Sequence, residues 1–100
     1  MFEYRTETEH QVIEGVLFND ASRIRSVRGR GFDPDLVTFP SRTPLLHLAL
    51  YKRADDEVVQ ALLDAGANPA ALDARGRTAV HVAELMGRPD ALRLLEAAGA

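Results

Sequence analysis

Residues 43–50 read TPLLHLAL and residues 78–85 read TAVHVAEL. Each stretch sets one histidine in an apolar run beside a small residue, Ala49 or Ala83, and the two histidines, His47 and His81, lie 34 positions apart. The same interval separates Gly15, Ala49 and Ala83, and again Val12, Leu46 and Val80. A fixed period of this size is the mark of a repeated structural unit, each copy burying an apolar face against the next. A second marker closes each copy: Gly31-Phe32-Asp33-Pro34, Gly66-Ala67-Asn68-Pro69 and Gly99-Ala100. Their small departures from a strict period are short loop insertions.

Within the third copy the apolar positions 80, 82, 83, 85 and 86 fit one short helix from Thr78 to Met86, ended by Gly87. Pro89 suits the first turn of a second helix, which carries Leu92, Leu94 and Leu95 and runs to about Ala98. The middle copy repeats this, with a helix from Pro44 to about Lys52, Asp55 or Asp56 as N-cap, a helix EVVQALLDA and Gly66 as its stop. In the first copy Glu9 to Phe18 and Ala21 to Val27 form the pair, with Asp20 as N-cap. Residues 31–42 and 66–77, rich in Pro, Gly and Asp, join the copies as extended loops or short hairpins.

Paired short helices, the T-x-x-H-x-A entry of Thr78, His81 and Ala83, and the L-L-x-A-G-A exit of Leu62 to Ala67 resemble ankyrin repeats over residues 9 to 100. The resemblance implies an all-α solenoid of three helix-turn-helix units, about 9–34, 42–69 and 77–100, within a single domain. It is clearest in the second and third units; the first has Ile13 where the others have histidine. The middle unit carries an extra residue between Thr43 and His47, so Pro44 stands at the spacing of Thr78. The resemblance also implies that Thr and His of the motif bond to each other and to the neighbouring turn. That fits Thr78 with His81, and fits His47 if Thr43 or a backbone group substitutes.

Elementary chemistry points the same way, because an imidazole on an apolar face must find hydrogen-bond partners or cost a few kcal/mol. A catalytic or metal role would need converging groups. His10 sits in a polar N-terminal turn, and neither metalloprotease, nucleophile-elbow, phosphate-loop nor calcium-loop patterns occur. His81 and Glu84 form an i, i+3 pair with no second such pair, so no metal or cofactor is expected. The histidines are expected to build the fold, and no enzymatic activity is expected.

One hundred residues make one domain with a modest core. The chain has no Cys, which excludes disulfides and thiolate metal sites. The start MFEYRTETEH is not a secretory leader and nowhere do some 18 apolar residues run together, so a cytoplasmic protein off the membrane is expected. Eleven of the twelve basic residues are Arg and fifteen residues are Ala, a bias of the kind GC-rich bacterial coding produces.

Stacked repeats need atypical ends. In the second helices Ile24, Val59 and Leu92 correspond, as do Val27, Leu62 and Leu95, and these sites stay apolar as a continuous core. At two other sites, Arg28, Leu63 and Glu96, and Arg23, Val58 and Ala91, the middle unit is apolar and the outer units are charged or small. That pattern predicts a three-repeat protein whose outer two units act as caps.

Members of the resembled family bind other proteins through their loop tips and the concave face of the first helices. Carried over, that face takes Phe39, Ser41, Arg42, Lys52, Arg53, Arg75, Arg77, Met86 and Arg88, with Tyr51 close by. The net charge is −3, yet basic residues dominate this face while Glu3, Glu7, Glu9 and Glu14 crowd the N-terminal end. Arginines beside Phe39, Tyr51 and Met86 suit an acidic protein partner, held by forked carboxylates and an apolar anchor. The expectation is therefore a monomer, or one half of a heterocomplex, that acts as a stoichiometric inhibitor or immunity-type protein, with an adaptor as the alternative. The segment RIRSVRGR, residues 23–30, has the arginine density of a phosphate binder. Its Ile24 and Val27 belong to the core, however, and no aromatic residue interleaves for base stacking, so nucleic acid is not expected. In FDPDLVTFPSR, residues 32–42, Phe32 and Leu36 are expected to pack over the unit ends and Phe39 to meet the partner. Phe2 and Tyr4 either cover the first unit or extend an interface.

Overall fold

The computed structural model describes residues 7–27, 35, 37–38 and 42–99. Among them lie six helices: α1 (Glu7–Leu17), α2 (Ala21–Ser26), α3 (Leu45–Tyr51), α4 (Asp56–Asp64), α5 (Ala79–Leu85) and α6 (Pro89–Ala97). A short antiparallel pair, β1 (Val37–Thr38) and β2 (Thr43–Pro44), sits between α2 and α3 with Val37 opposite Pro44 and Thr38 opposite Thr43. Thr38 pins this hairpin by donating its hydroxyl to the Thr43 carbonyl at 3.0 Å.

Each odd helix packs on the even helix that follows, α1 also meets α3 and α3 meets α5, while α2 meets α4 and α4 meets α6. The result is two layers, first helices in one and second helices in the other, stacked unit on unit. The helices end within one or two residues of the limits expected from the sequence.

The backbone repeats more faithfully than the side chains do. Asn19, Arg53 and Gly87, spaced by 34, all have left-handed φ, at 56°, 57° and 66°. Next to them, the amides of Asp20, Ala54 and Arg88 donate to the carbonyls of Gly15, Ala49 and Ala83 at 2.7, 2.9 and 2.9 Å. These are the same helix-ending turn made three times, since a left-handed residue is what lets an amide reach back to the open carbonyls of the last turn. In the connections Arg42 and Gly76, again 34 apart, share positive φ at 53° and 76°.

Why position 15/49/83 must be small is now visible. All three are buried where two helices meet, and a Cβ on Gly15 would lie 2.7 Å from Ile24 Cγ1 and 3.0 Å from the Asp20 carbonyl. The core runs through every unit: Val12, Val16, Ile24 and Val27, then Leu45, Leu50, Val58, Val59 and Leu62, then Ala79, Val82, Ala83, Ala91 and Leu95. The corresponding residues Val27, Leu62 and Leu95 are fully buried, as the sequence pattern requires. Leu92 and Leu63 are only half-buried, which corrects their expected burial. Leu92 belongs to the third unit, which has no described unit beyond it, and Leu63 reaches the core only from its edge. At the other expected cap position Val58 and Ala91 are fully buried while Arg23, with no described unit before it, is half-exposed and takes Glu14 and Asp20 as partners.

Candidate functional site

The two histidines of the opening motif have different fates. His47 is completely buried on α3, and its Nε2–H donates to the main-chain carbonyl of Arg77 in the next connection at 2.8 Å. The donor role places the proton on Nε2, leaving Nδ1 buried with no partner. The backbone group that had to substitute for a threonine is thus the Arg77 carbonyl, and Pro44 fills the N-cap position held in α5 by Thr78. The expected Thr78–His81 bond between side chains is corrected: the Thr78 hydroxyl accepts from the His81 main-chain N–H at 3.3 Å, and the His81 imidazole is exposed. Position 47 ties its unit to the loop of the next one; no such loop follows His81 among the described residues.

Two further ties join the units, and the sequence pattern did not reveal them. Asn19 accepts the Asp55 amide at 2.7 Å through Oδ1 and donates to the Asp55 carboxylate at 3.0 Å, so the N-cap residue of α4 is held by the unit before it. Asp55 does stand at the N-cap, but its own side chain makes no cap bond. Arg88 donates through Nη2 to the Ala54 carbonyl at 2.7 Å and to Asp56 at 2.8 Å, with its side chain 19% exposed. Expected on the partner face, Arg88 has its guanidinium committed to the middle unit instead.

Around the second connection Asp73 organises a tight loop. Its Oδ1 accepts the amides of Arg75 and Arg77, each at 2.9 Å, and its Oδ2 accepts the Tyr51 hydroxyl at 3.0 Å. Partial burial works against the Asp73 charge, but the Arg77 amide, the Tyr51 hydroxyl and the Arg75 amide outweigh it and hold the carboxyl below its ordinary range. Burial, then the hydrogen bond and charge of Asp73, push the Tyr51 hydroxyl above its ordinary value. Tyr51 thereby pins the end of α3 to the loop and fixes where Arg75 and Arg77 stand.

Of the other expected partner residues, Arg42, Lys52, Arg53 and Arg75 are exposed, Arg77 is half-buried, and Met86 is half-buried with part of its side chain packed on the core. Phe39 lies outside the described residues, as do Phe2, Tyr4, Arg28, Phe32, Leu36 and Ser41. A shallow recess of about 280 Å³ opens beside Pro69, Ala70, Thr78, Val80 and Glu96, with a single carboxylate on its wall. No group of three or more His, Asp or Glu among the described residues is placed to hold a metal ion.

The model of one known family, ankyrin repeats (many copies), matches residues 46–96, from the first helix of the middle unit to the second helix of the last. The chain belongs to the ankyrin-repeat family. No curated protein matches it. In this ankyrin protein the matched span carries the His47 tie, the Arg88 clamp and the Tyr51–Asp73 loop. Ankyrin repeats are protein-binding modules, and that coarse function holds for this chain. No helix among the described residues is long and apolar enough to cross a membrane.

Sequence reasoning missed one set of surface residues. Leu17, Phe18, Val37, Leu72 and Leu85 are the exposed large apolar residues among those described, and each lies at the end of a first helix or in a connection. A signal for them did exist. Leu17, Tyr51 and Leu85 are 34 apart and each is the last residue of its first helix.

Proposed function

We propose that this ankyrin protein acts without catalysis, by stoichiometric recognition of an acidic surface on another protein. The observation that carries the reading is a sorting of cations. Arg23, Arg88 and Arg93 hold carboxylates of their own chain near the short turns and second helices. Arg42, Lys52, Arg53, Arg75 and Arg77, at the connections and the end of α3, hold no carboxylate among the described residues, and on the second helices Arg25 of α2 is the exception that likewise holds none. The exposed large apolar residues among those described also lie in or just after the first helices or in the connections. A face that joins unpaired cations to uncovered leucines has the composition of a binding hot spot, because guanidinium groups fork carboxylates while apolar contacts exclude water.

An inhibitor or immunity-type role suits a face of this kind, which would cover one acidic functional surface of a target. An adaptor is the alternative, and loss of target activity on binding separates the two. A nucleic-acid role has less support, since Arg23 is taken up by Glu14 and Asp20. The test is an affinity pulldown with the wild-type chain and with a variant carrying Arg42, Lys52, Arg53 and Arg75 changed to Ala, read by mass spectrometry. A protein retained by the wild type and released by a folded variant supports the basic face; equal retention sends the interface elsewhere.

A further inference from the structure

We propose that the outer face of the third unit is a second docking site, which takes an arginine-bearing turn of a partner protein. The arginine stem enters the recess beside Val80, its guanidinium meets Glu96, and a main-chain carbonyl of the turn accepts from the His81 imidazole. The site lies apart from the cationic face and asks for the opposite charge, so it stands or falls independently of the acidic-partner reading.

Position by position, this face has covered counterparts in the earlier units. In the first and middle units, each followed by another, three equivalent places read Val12, Ile13 and Val16, then Leu46, His47 and Leu50, and all six are buried. In the third unit the same places hold a half-buried Val80 and the exposed His81 and Glu84. On the second helices Leu63 is half-buried and its counterpart Glu96 is exposed.

What covers the middle unit indicates the occupant. The turn Asp73–Arg77, with Gly76 at a left-handed φ of 76°, brings the Arg77 carbonyl to His47 Nε2 at 2.8 Å. Arg88 reaches back from the next unit, donating to the Ala54 carbonyl and to Asp56 with its side chain 19% exposed. A turn and an arginine together close the middle face. The third unit keeps the histidine, so it still calls for a carbonyl. Its two changes set the rest of the partner's chemistry. Tyr51, whose hydroxyl meets Asp73, becomes Leu85, so the turn needs no carboxylate there. Leu63 becomes Glu96, which holds no cation among the described residues and calls for one.

The recess fits that cation. Its space of about 280 Å³ is bordered by Pro69, Ala70, Thr78 and Val80, with Glu96 as its one charged group. That is near the lower limit of roughly 300 Å³ for ligand sites, room for a single long side chain. Arginine lays its aliphatic stem on apolar walls and forks a carboxylate with its head. A second copy of this chain is a poor occupant: its first unit opens with Glu7 and Glu9, and its Arg23 is already taken by Glu14 and Asp20.

The probe is a backbone-cyclised hexapeptide with one arginine, its turn held by Gly and Pro. A twin carries citrulline, the uncharged isostere, in place of arginine. Both are titrated into the isotopically labelled chain and followed by amide nitrogen–proton correlation spectra. The expected result is a set of shifts centred on Val80, His81 and Glu96 that saturates at about 1–10 mM of the arginine peptide. The citrulline twin, and the arginine peptide on Glu96→Gln, should each bind at least about threefold more weakly, and His81→Ala should lose about threefold. Both substituted side chains are exposed, so the variants keep their fold, verified by the dispersion of the same spectra. Changing Arg42, Lys52, Arg53 and Arg75 to Ala should leave this binding no weaker. Absent or unsaturated shifts, shifts spread evenly over Glu7, Glu57 and other exposed acids, equal affinity of the two peptides, or unchanged affinity of Glu96→Gln overturns the proposal.

Discussion

Replacing His47 and His81 in turn by Ala puts the same chemical change at two equivalent positions in very different surroundings. His47 is wholly buried and donates to the Arg77 carbonyl at 2.8 Å; His81 is exposed and its imidazole bonds none of the described residues. Losing a neutral hydrogen bond of this kind costs about 0.5–1.5 kcal/mol net, and stranding the carbonyl about 1–3 kcal/mol. Because Arg77 is half-buried, water reaches part of that carbonyl and the lower end applies. Deleting the ring from a closed site adds a cavity and lost contacts of about 1–2 kcal/mol. His47→Ala should therefore cost about 2–4 kcal/mol, a melting temperature lower by about 10–25 °C for a domain of this size. His81→Ala should stay within about 0.5 kcal/mol, with a small gain from the higher helix propensity of Ala. Urea and thermal unfolding followed by circular dichroism give both numbers, and His47→Gln, whose amide can still donate to Arg77, should recover part of the loss. Equal losses at the two positions, or less than about 1 kcal/mol at His47, would refute the tie between units.

Gly15→Ala should destabilise by about 1–3 kcal/mol despite better helix propensity, because its methyl meets Ile24 at 2.7 Å, and Ile24→Ala in the same chain should make the two costs less than additive in a double-mutant cycle. Arg88→Ala should cost about 1.5–3 kcal/mol and Arg93→Ala, whose side chain is 78% exposed in its pair with Asp90, close to nothing in the same melts. Leu63→Glu should cost about 1–2 kcal/mol, less than a fully buried leucine, while Glu96→Ala is tolerated; equal melting temperatures would remove the difference between an inner and an outer unit. The Asp73 carboxyl is held below its ordinary value, so its contribution is complete above that value of 3.8 and fades as pH falls through the depressed one. Tyr51 is raised above its ordinary 10.0, so its share is present below pH 10 and is lost as pH rises through the raised value. Asp73→Asn should flatten the acid limb of stability against pH, and Tyr51→Phe the alkaline one; unaltered limbs would show that the loop does not couple to folding.

The repeat, the helix pairs and most of the core were legible because they depend on intervals along the chain. Val12 and Leu46, or Val27 and Leu62, announce burial by being apolar at the same place in each unit. Two of the ties between units were not legible, because they pair residues at unequal places: Asn19 with Asp55, and Arg88 with Ala54 and Asp56; for His47 the resemblance implied a bond to the neighbouring turn, and the folded chain adds that the Arg77 carbonyl accepts it. Arg88 and Arg42 read alike in the sequence as loop-end arginines. Only the folded chain distinguishes the one turned onto Asp56 from the one left exposed.

Position 20/54/88 shows how a repeat divides its labour. The backbone is the same three times, each amide closing onto the carbonyl five residues before it. With that bond fixed by geometry, the side chain is free to differ. Asp20 caps its own helix by accepting the Arg23 amide. Ala54, fully packed, offers only its carbonyl, and Arg88 from the next unit takes it. Position 17/51/85 is the complement on the other side: Tyr51 spends its hydroxyl on Asp73, and Leu17 and Leu85 bury less than they expose or nearly so. A fold whose stability comes from the periodic backbone and core leaves part of the ends of its first helices uncovered, with Leu17, Phe18, Lys52, Arg53 and Leu85 exposed there while Tyr51 and Met86 still pack on the core. Leucines left exposed at equivalent places, beside cations that hold no carboxylate among the described residues, contribute little to the isolated chain. On the proposed reading they gain their return when a partner covers both, so changing Arg42, Lys52, Arg53 and Arg75 to Ala should release that partner while leaving the melting temperature of the isolated chain unchanged.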